Sequence, residues 1–68
     1  MQKAGFVVKV TDAGGKTSWL TSLKLFGIRT LGPDLMREAF PTFAAAAAAI
    51  AAMPEVVQAA MQFEIFIL

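Results

Sequence analysis

Cysteine and histidine are both missing from this 68-residue chain. Without them there is no disulfide, no thiolate or imidazole metal site, and no side chain that exchanges protons readily near pH 7. The five carboxylates are scattered, and Asp34 and Glu38 are the only close pair. Catalysis has little chemistry to draw on, so we predict that the protein is not an enzyme and uses no cofactor.

A long hydrophobic run is also missing. The longest charge-free stretch, residues 39–54, is mostly Ala and is shorter than the about 20 apolar residues that a membrane span needs. The apolar pair Val7 and Val8 is followed at once by Lys9, so no secretory signal is recognisable. We therefore expect a cytoplasmic protein with no membrane partner.

The chain is short and strongly apolar. Hydrophobic residues make up 57% of it, which is too apolar for a disordered segment. Its length allows one domain, residues 1–68. A core of this size supplies about 3–5 kcal/mol, so help from association, including a homo-oligomer, is expected.

Charge is unevenly distributed although the net charge is only +1. Residues 34–68 have a net charge of −3, and residues 1–33 have a net charge of +4. The cations of the first half are Lys3, Lys9, Lys16, Lys24 and Arg29. Two interpretations stay open: the halves are neighbours that offset each other, or the basic half forms a surface for an acidic partner.

The first third of the chain predicts a β-hairpin over residues 6–23. β-Branched and aromatic residues fill 6–10 and 17–23, and the intervening Asp12, Gly14 and Gly15 are turn formers. The sequence Gly15-Lys16-Thr17 invites a phosphate-loop interpretation, but that motif needs a glycine where Val10 stands and a helix where a strand follows. The hairpin turn explains these residues better.

An alanine-rich helix is predicted from Thr42 onward. The Thr42 hydroxyl can cap the helix, residues 43–52 are nearly all Ala, and residues 54–61 allow a second short helix. We expect a core stripe on one side and a bare Ala face on the other. The stripe would be Phe43, Ala46, Ile50, Met53 and Val57, and the bare face Ala44, Ala45, Ala48, Ala49 and Ala52.

The last segment, residues 62–68, predicts a strand in the interior of a sheet, because apolar residues occupy both of its faces. The fold class is thus α+β, with a small antiparallel sheet formed by the hairpin and the C-terminal strand and packed against one Ala-rich helix. A further strand fits residues 28–31 or residues 37–40, and the second segment fits a helical turn equally well.

Residues 24–33 contain apolar side chains among turn formers, which is unusual for a loop. We predict that this loop and the hairpin tip bind a partner, with Phe26 and Arg29 as the main contacts because of their area and planar charge. The predicted partner-binding residues are Lys16, Lys24, Phe26, Ile28, Arg29 and Leu31. A nucleic-acid-binding alternative would use Lys9, Lys16, Trp19, Lys24 and Arg29.

A pattern of segments resembles short accessory proteins of phages and other mobile elements. It consists of FVVKV, the turn DAGGKT, WLT in the next strand, FPT opening the Ala-rich helix, and FEIFIL at the end. Some proteins of this class are anti-CRISPR inhibitors that block a host nuclease complex by occupying its surface. The resemblance implies a non-catalytic inhibitor or adaptor whose partner is a host or phage protein or protein complex.

Overall fold

A computed structural model describes residues 5–68; Lys3, counted above in the basic half, lies outside them. The chain forms a four-stranded antiparallel sheet of order β3-β2-β1-β4 with helices packed against it, which confirms the predicted α+β fold. The elements are β1 (Phe6–Thr11), β2 (Thr17–Leu25), β3 (Ile28–Gly32), a 3₁₀ turn (Asp34–Met36), α1 (Phe43–Ala51), α2 (Glu55–Ala60) and β4 (Gln62–Ile67).

The first hairpin forms as predicted and is closed by a capped turn. The Asp12 carboxylate accepts backbone N–H bonds from Gly14 and Lys16, each at 2.9 Å, and Gly15 adopts a φ of 83°. Only glycine takes that conformation freely, so the turn sequence determines where the chain reverses.

Of the two alternatives for a further strand, the first forms a strand and the second forms isolated bridges to the sheet. The stretch near residues 28–31 becomes β3, and β2 runs on to Leu25 to pair with it. The segment after the 3₁₀ turn inserts between the diverging ends of β1 and β2. There Glu38 N–H bonds to the Leu20 carbonyl, while Phe40 and Phe6 exchange two backbone bonds of 2.7 and 2.9 Å.

The core lies between one face of the sheet and α1. It consists of Val8, Val10, Leu20, Phe40, Ala46, Ala49 and Met53. Thr42 caps α1 as predicted, because its Oγ1 accepts the Ala45 N–H at 3.0 Å. The second short helix that residues 54–61 allowed forms as α2.

The predicted faces of α1 need correction. Ala49, assigned to the bare face, is buried, whereas Phe43, assigned to the core stripe, is exposed and forms an edge-to-face pair with the Phe6 ring, at 6.2 Å between centroids. The helix is therefore turned so that small residues, which allow close approach to the sheet, face inward. Val7, predicted on a half-solvated face, is buried as well.

β4 also departs from expectation. The structure places it at the edge of the sheet, next to β1 alone, where the sequence predicted an interior position. Phe63 and Ile65 pack against the core, but Phe66, Ile67 and Leu68 remain exposed. Apolar side chains on both faces of this strand therefore did not mean that it has a hydrogen-bonded neighbour strand on each edge.

Within residues 5–68, no helix combines the length and apolar character needed to cross a membrane.

Candidate functional site

The β2–β3 hairpin projects a surface that we call the arm, residues 23–30. At its end a two-residue loop, Phe26 and Gly27, joins Leu25 to its cross-strand neighbour Ile28. Both loop residues have positive φ, 55° for Phe26 and 78° for Gly27, as in the type I′ turns of tight hairpins. The loop geometry explains the sharp reversal and fixes the direction of the Phe26 side chain.

Phe26 is the least expected residue in this loop. Asn and Asp are the side chains that usually occupy a left-handed position before Gly, whereas an aromatic residue there costs about 1 kcal/mol. The Phe26 side chain nevertheless makes little contact with the rest of the chain, since the residue is 94% exposed. It contributes nothing to the core that offsets this strain.

The arm is apolar on one of its faces. Leu25 and Ile28 pair across the two strands and so share a face, and they are 61% and 43% exposed. Leu23 is exposed to the same degree as Leu25. Together with Phe26 they form an exposed apolar patch, which is the kind of surface that marks a binding site.

The opposite face of the arm is polar and borders a groove against α1. The groove has a volume of about 470 Å³, with Lys24 and Arg29 on the arm side and Phe40 at its base. Its helical wall consists of Ala45, Ala48, Ala49 and Ala52. Glu38 also lines the groove, so the arm presents an apolar face on one side and a charged, alanine-walled groove on the other.

Arg29 is held by its own chain. Its Nη1 donates to the Thr21 carbonyl at 3.0 Å and forms an ion pair with Glu38, and its guanidinium lies 5.0 Å from the centre of the Phe40 ring. Its side chain is only 20% exposed. These contacts attach the arm to the rest of the protein.

The remaining predicted partner-binding residues are spread over the molecule. Lys16 is exposed in the turn of the first hairpin and is not part of the arm. Leu31 is half-buried against the core, where it pairs with Leu20. In the described part of the chain neither Lys16 nor Lys24 forms a salt bridge. The structure thus brings together Lys24, Phe26, Ile28 and Arg29 on the arm and leaves Lys16 and Leu31 outside it.

The nucleic-acid-binding set is divided between two faces. Lys9 and Trp19 pair on the face of the sheet away from the helices, which we call the open face, whereas Lys24 and Arg29 line the groove on the helical side. Sequence reasoning missed the other members of the open face. These are Phe66, whose ring lies 6.4 Å from that of Trp19, and Arg37, whose guanidinium lies 5.4 Å from the Trp19 ring.

Charges on the open face cancel. Lys9 pairs in register with Glu64, and Arg37 forms an ion pair with Asp34. The Arg29–Glu38 ion pair and the Lys9–Glu64 register pair each join the basic half of the chain to the acidic half. These contacts favour the interpretation that the two halves offset each other, and they leave the open face without the excess of cations that binds a phosphate backbone.

No protein-family model, curated protein or solved structure matches the chain.

Proposed function

We propose that the protein is a non-catalytic binding module whose arm occupies the surface of a protein partner. The observation that carries this proposal is the left-handed, 94% exposed Phe26 at the end of an apolar hairpin. A strained aromatic residue that does not pack within its own chain is explained if it packs into another one.

The chemistry of the arm indicates the kind of surface it binds. Phe26 would enter an apolar pocket of the partner, and the Leu25 and Ile28 face would exclude water around it. Lys24, exposed at the rim of the groove, would meet an acidic side chain of the partner. Arg29 supports this surface from behind, because its guanidinium is already engaged by Thr21, Glu38 and Phe40.

The mode of action that we propose is steric occupation in the cytoplasm. It is the mode of the anti-CRISPR inhibitors that the sequence pattern resembles, and the partner would then be a host or phage protein complex. The exposed arm supports this mode because a projecting hairpin can block a surface without any reaction.

The decisive experiment separates strain from binding at a single position. Phe26→Asn and Phe26→Ala both remove the ring, but only Asn fits the left-handed conformation well. We expect both variants to lose at least tenfold in affinity for the partner. We expect Phe26→Asn alone to become more stable, by up to about 1 kcal/mol in denaturant unfolding. Phe26→Tyr, which keeps the ring, should bind within a few-fold of the parent chain.

The partner itself can be captured with a photoreactive phenylalanine analogue at position 26. We expect one discrete protein adduct that survives nuclease treatment and is competed by the unmodified protein but not by Phe26→Asn. The same analogue at position 56, an apolar site on α2 that is also mostly exposed, is the matched control. A nuclease-sensitive adduct, or equal labelling from both positions, would contradict the proposal.

A further inference from the structure

The outer edge of β4 is a second exposed feature, distinct from the arm. Among residues 5–68, β4 pairs only with β1, so one whole side of the strand has no main-chain partner. Phe66 and Ile67 of β4, and Leu68 directly after it, are apolar and exposed. An edge strand of this kind is a template for pairing with another strand.

Natural edge strands normally carry features that prevent pairing. Lysine, proline and bulges are the common ones, and residues 62–68 contain neither a lysine nor a proline. The one charge in the segment, Glu64, lies opposite Lys9 of β1. The register between β1 and β4 is continuous from Phe6 to Thr11, so no bulge interrupts it.

The free main-chain groups of β4 can be assigned from the bonds it makes to β1. The Leu68 N–H donates to the Gly5 carbonyl at 2.8 Å, so residue 68 turns its main-chain groups toward β1. Because antiparallel strands alternate in this respect, residues 62, 64 and 66 do the same. The groups of Phe63, Ile65 and Ile67 therefore point outward, along the open edge.

We propose that this edge pairs antiparallel with β4 of a second copy of the chain, about a two-fold axis at Ile65. In that register Ile65 meets Ile65 and Phe63 meets Ile67, so every outward group finds an outward partner, in about six hydrogen bonds. The two four-stranded sheets become one continuous sheet. Phe63, Ile65 and Ile67 of both copies stay on the same side as the helices, which joins the two cores.

Charge selects this register over its neighbour. If the two-fold axis moved by one residue, to Glu64, this residue would lie directly opposite Glu64 of the second copy. Like charges in that position are destabilising, and this register would also keep fewer hydrogen bonds. In the proposed register Glu64 lies across from Phe66 instead. The net charge of only +1 per chain adds little repulsion between copies.

A second copy fits this edge better than an unrelated strand does because β4 is complementary to itself. The same alternation of outward and inward groups appears on both sides of the axis, and the outer edges of both β4 strands are used up in a closed pair. Pairing through β4 therefore stops at a dimer.

Sedimentation velocity over a range of concentrations tests the proposal. The parent chain is expected to reach twice its mass of 7.2 kDa as concentration rises. Ile67→Pro removes an outward N–H and Ile67→Lys adds a charge at the edge, and both should sediment as monomers with an unchanged circular dichroism spectrum. Ile67 is 68% exposed and lies outside the core, so either variant is expected to fold.

Leu35→Lys is the matched control, since it adds the same charge at a 95% exposed apolar residue next to β2 rather than β4. It should dimerise like the parent chain. A parent chain that stays monomeric up to its solubility limit would overturn the proposal, and so would dimers of both Ile67 variants equal to those of the parent.

The register is tested by oxidation of single-cysteine variants, because the chain has no cysteine of its own. In the proposed pairing Cα atoms of residues 64 and 66 lie about 4.5 Å apart across the axis, within disulfide range. An equal mixture of Glu64→Cys and Phe66→Cys chains should yield mainly the mixed disulfide. Equally efficient cross-linking of Phe66→Cys chains alone, which keep Glu64, would contradict the register.

Discussion

The arm exposes mainly side chains, whereas the β4 edge exposes mainly main-chain groups. The arm satisfies its main-chain groups within its own hairpin and presents side chains, with Phe26 at its end. β4 places Phe63 and Ile65 against the core and presents main-chain groups along its free side. Exposure alone therefore does not show whether a segment can be substituted or deleted without loss of stability. Both segments are exposed, but β4 supports the core and the arm does not.

The largest expected effect comes from removing the edge strand. A chain that lacks residues 63–68 loses all pairing to β1 beyond Gln62 and the packing of Phe63 and Ile65 on the core. Since a core this small supplies only about 3–5 kcal/mol, we expect no cooperative unfolding transition in thermal circular dichroism. If the truncated chain melts like the full one, β4 is dispensable and the contrast with the arm disappears.

A pair of leucines in the same strand sharpens the comparison further. Leu20, at the base of β2, is fully buried, whereas Leu25, near the tip of the arm, is 61% exposed. Leu20→Ala should lower the free energy of unfolding by about 2–5 kcal/mol, and Leu25→Ala by less than about 1 kcal/mol. Urea titrations of both variants measure the two values. Equal losses would mean that the arm packs as part of the core.

Two cations that face each other across the arm give the smallest effect. Arg29→Ala removes the hydrogen bond to the Thr21 carbonyl and the ion pair with Glu38, for an expected loss of about 1–2 kcal/mol. Lys24 pairs with Arg29 in register but makes no salt bridge within residues 5–68, so Lys24→Ala should stay within about 0.5 kcal/mol. A destabilising Lys24→Ala together with a neutral Arg29→Ala would reverse this assignment of roles.

Local signals in the sequence predicted the elements that depend on local interactions. The Asp12 and Gly15 turn and the Thr42 cap each rely on bonds between residues close in sequence, and both appear where the sequence indicated them. Capping and turn chemistry work within a few residues, so they can be recognised without knowing the fold.

The parts that the sequence did not predict depend on long-range packing. The edge position of β4 follows from its pairing with β1, a strand more than fifty residues earlier, whose other side is taken by β2. The rotation of α1 that buries Ala49 and exposes Phe43 follows from how closely the helix approaches the sheet. Neither is encoded in the periodicity of a single segment.

For the candidate site, the sequence singled out the segment that forms the arm but did not predict its shape. An apolar stretch among turn formers predicted partner contacts at Lys24, Phe26, Ile28 and Arg29, and the structure gathers these residues on the arm. The two-residue turn was not foreseen because Phe is a rare choice at a left-handed position. Its rarity there is the observation on which the proposed function rests.

The alanine wall of the groove has a consequence for how tightly a partner could bind there. An alanine side chain has no rotamers, so Ala45, Ala48 and Ala52 lose no side-chain conformational entropy when a surface closes over them, whereas a lysine or glutamate in their place would lose up to about 2 kcal/mol each. The backbone of α1 alone determines the shape of that wall. A ligand that fits the groove would meet a surface already in its bound form, and the entropic cost of ordering would fall on the ligand and on Lys24.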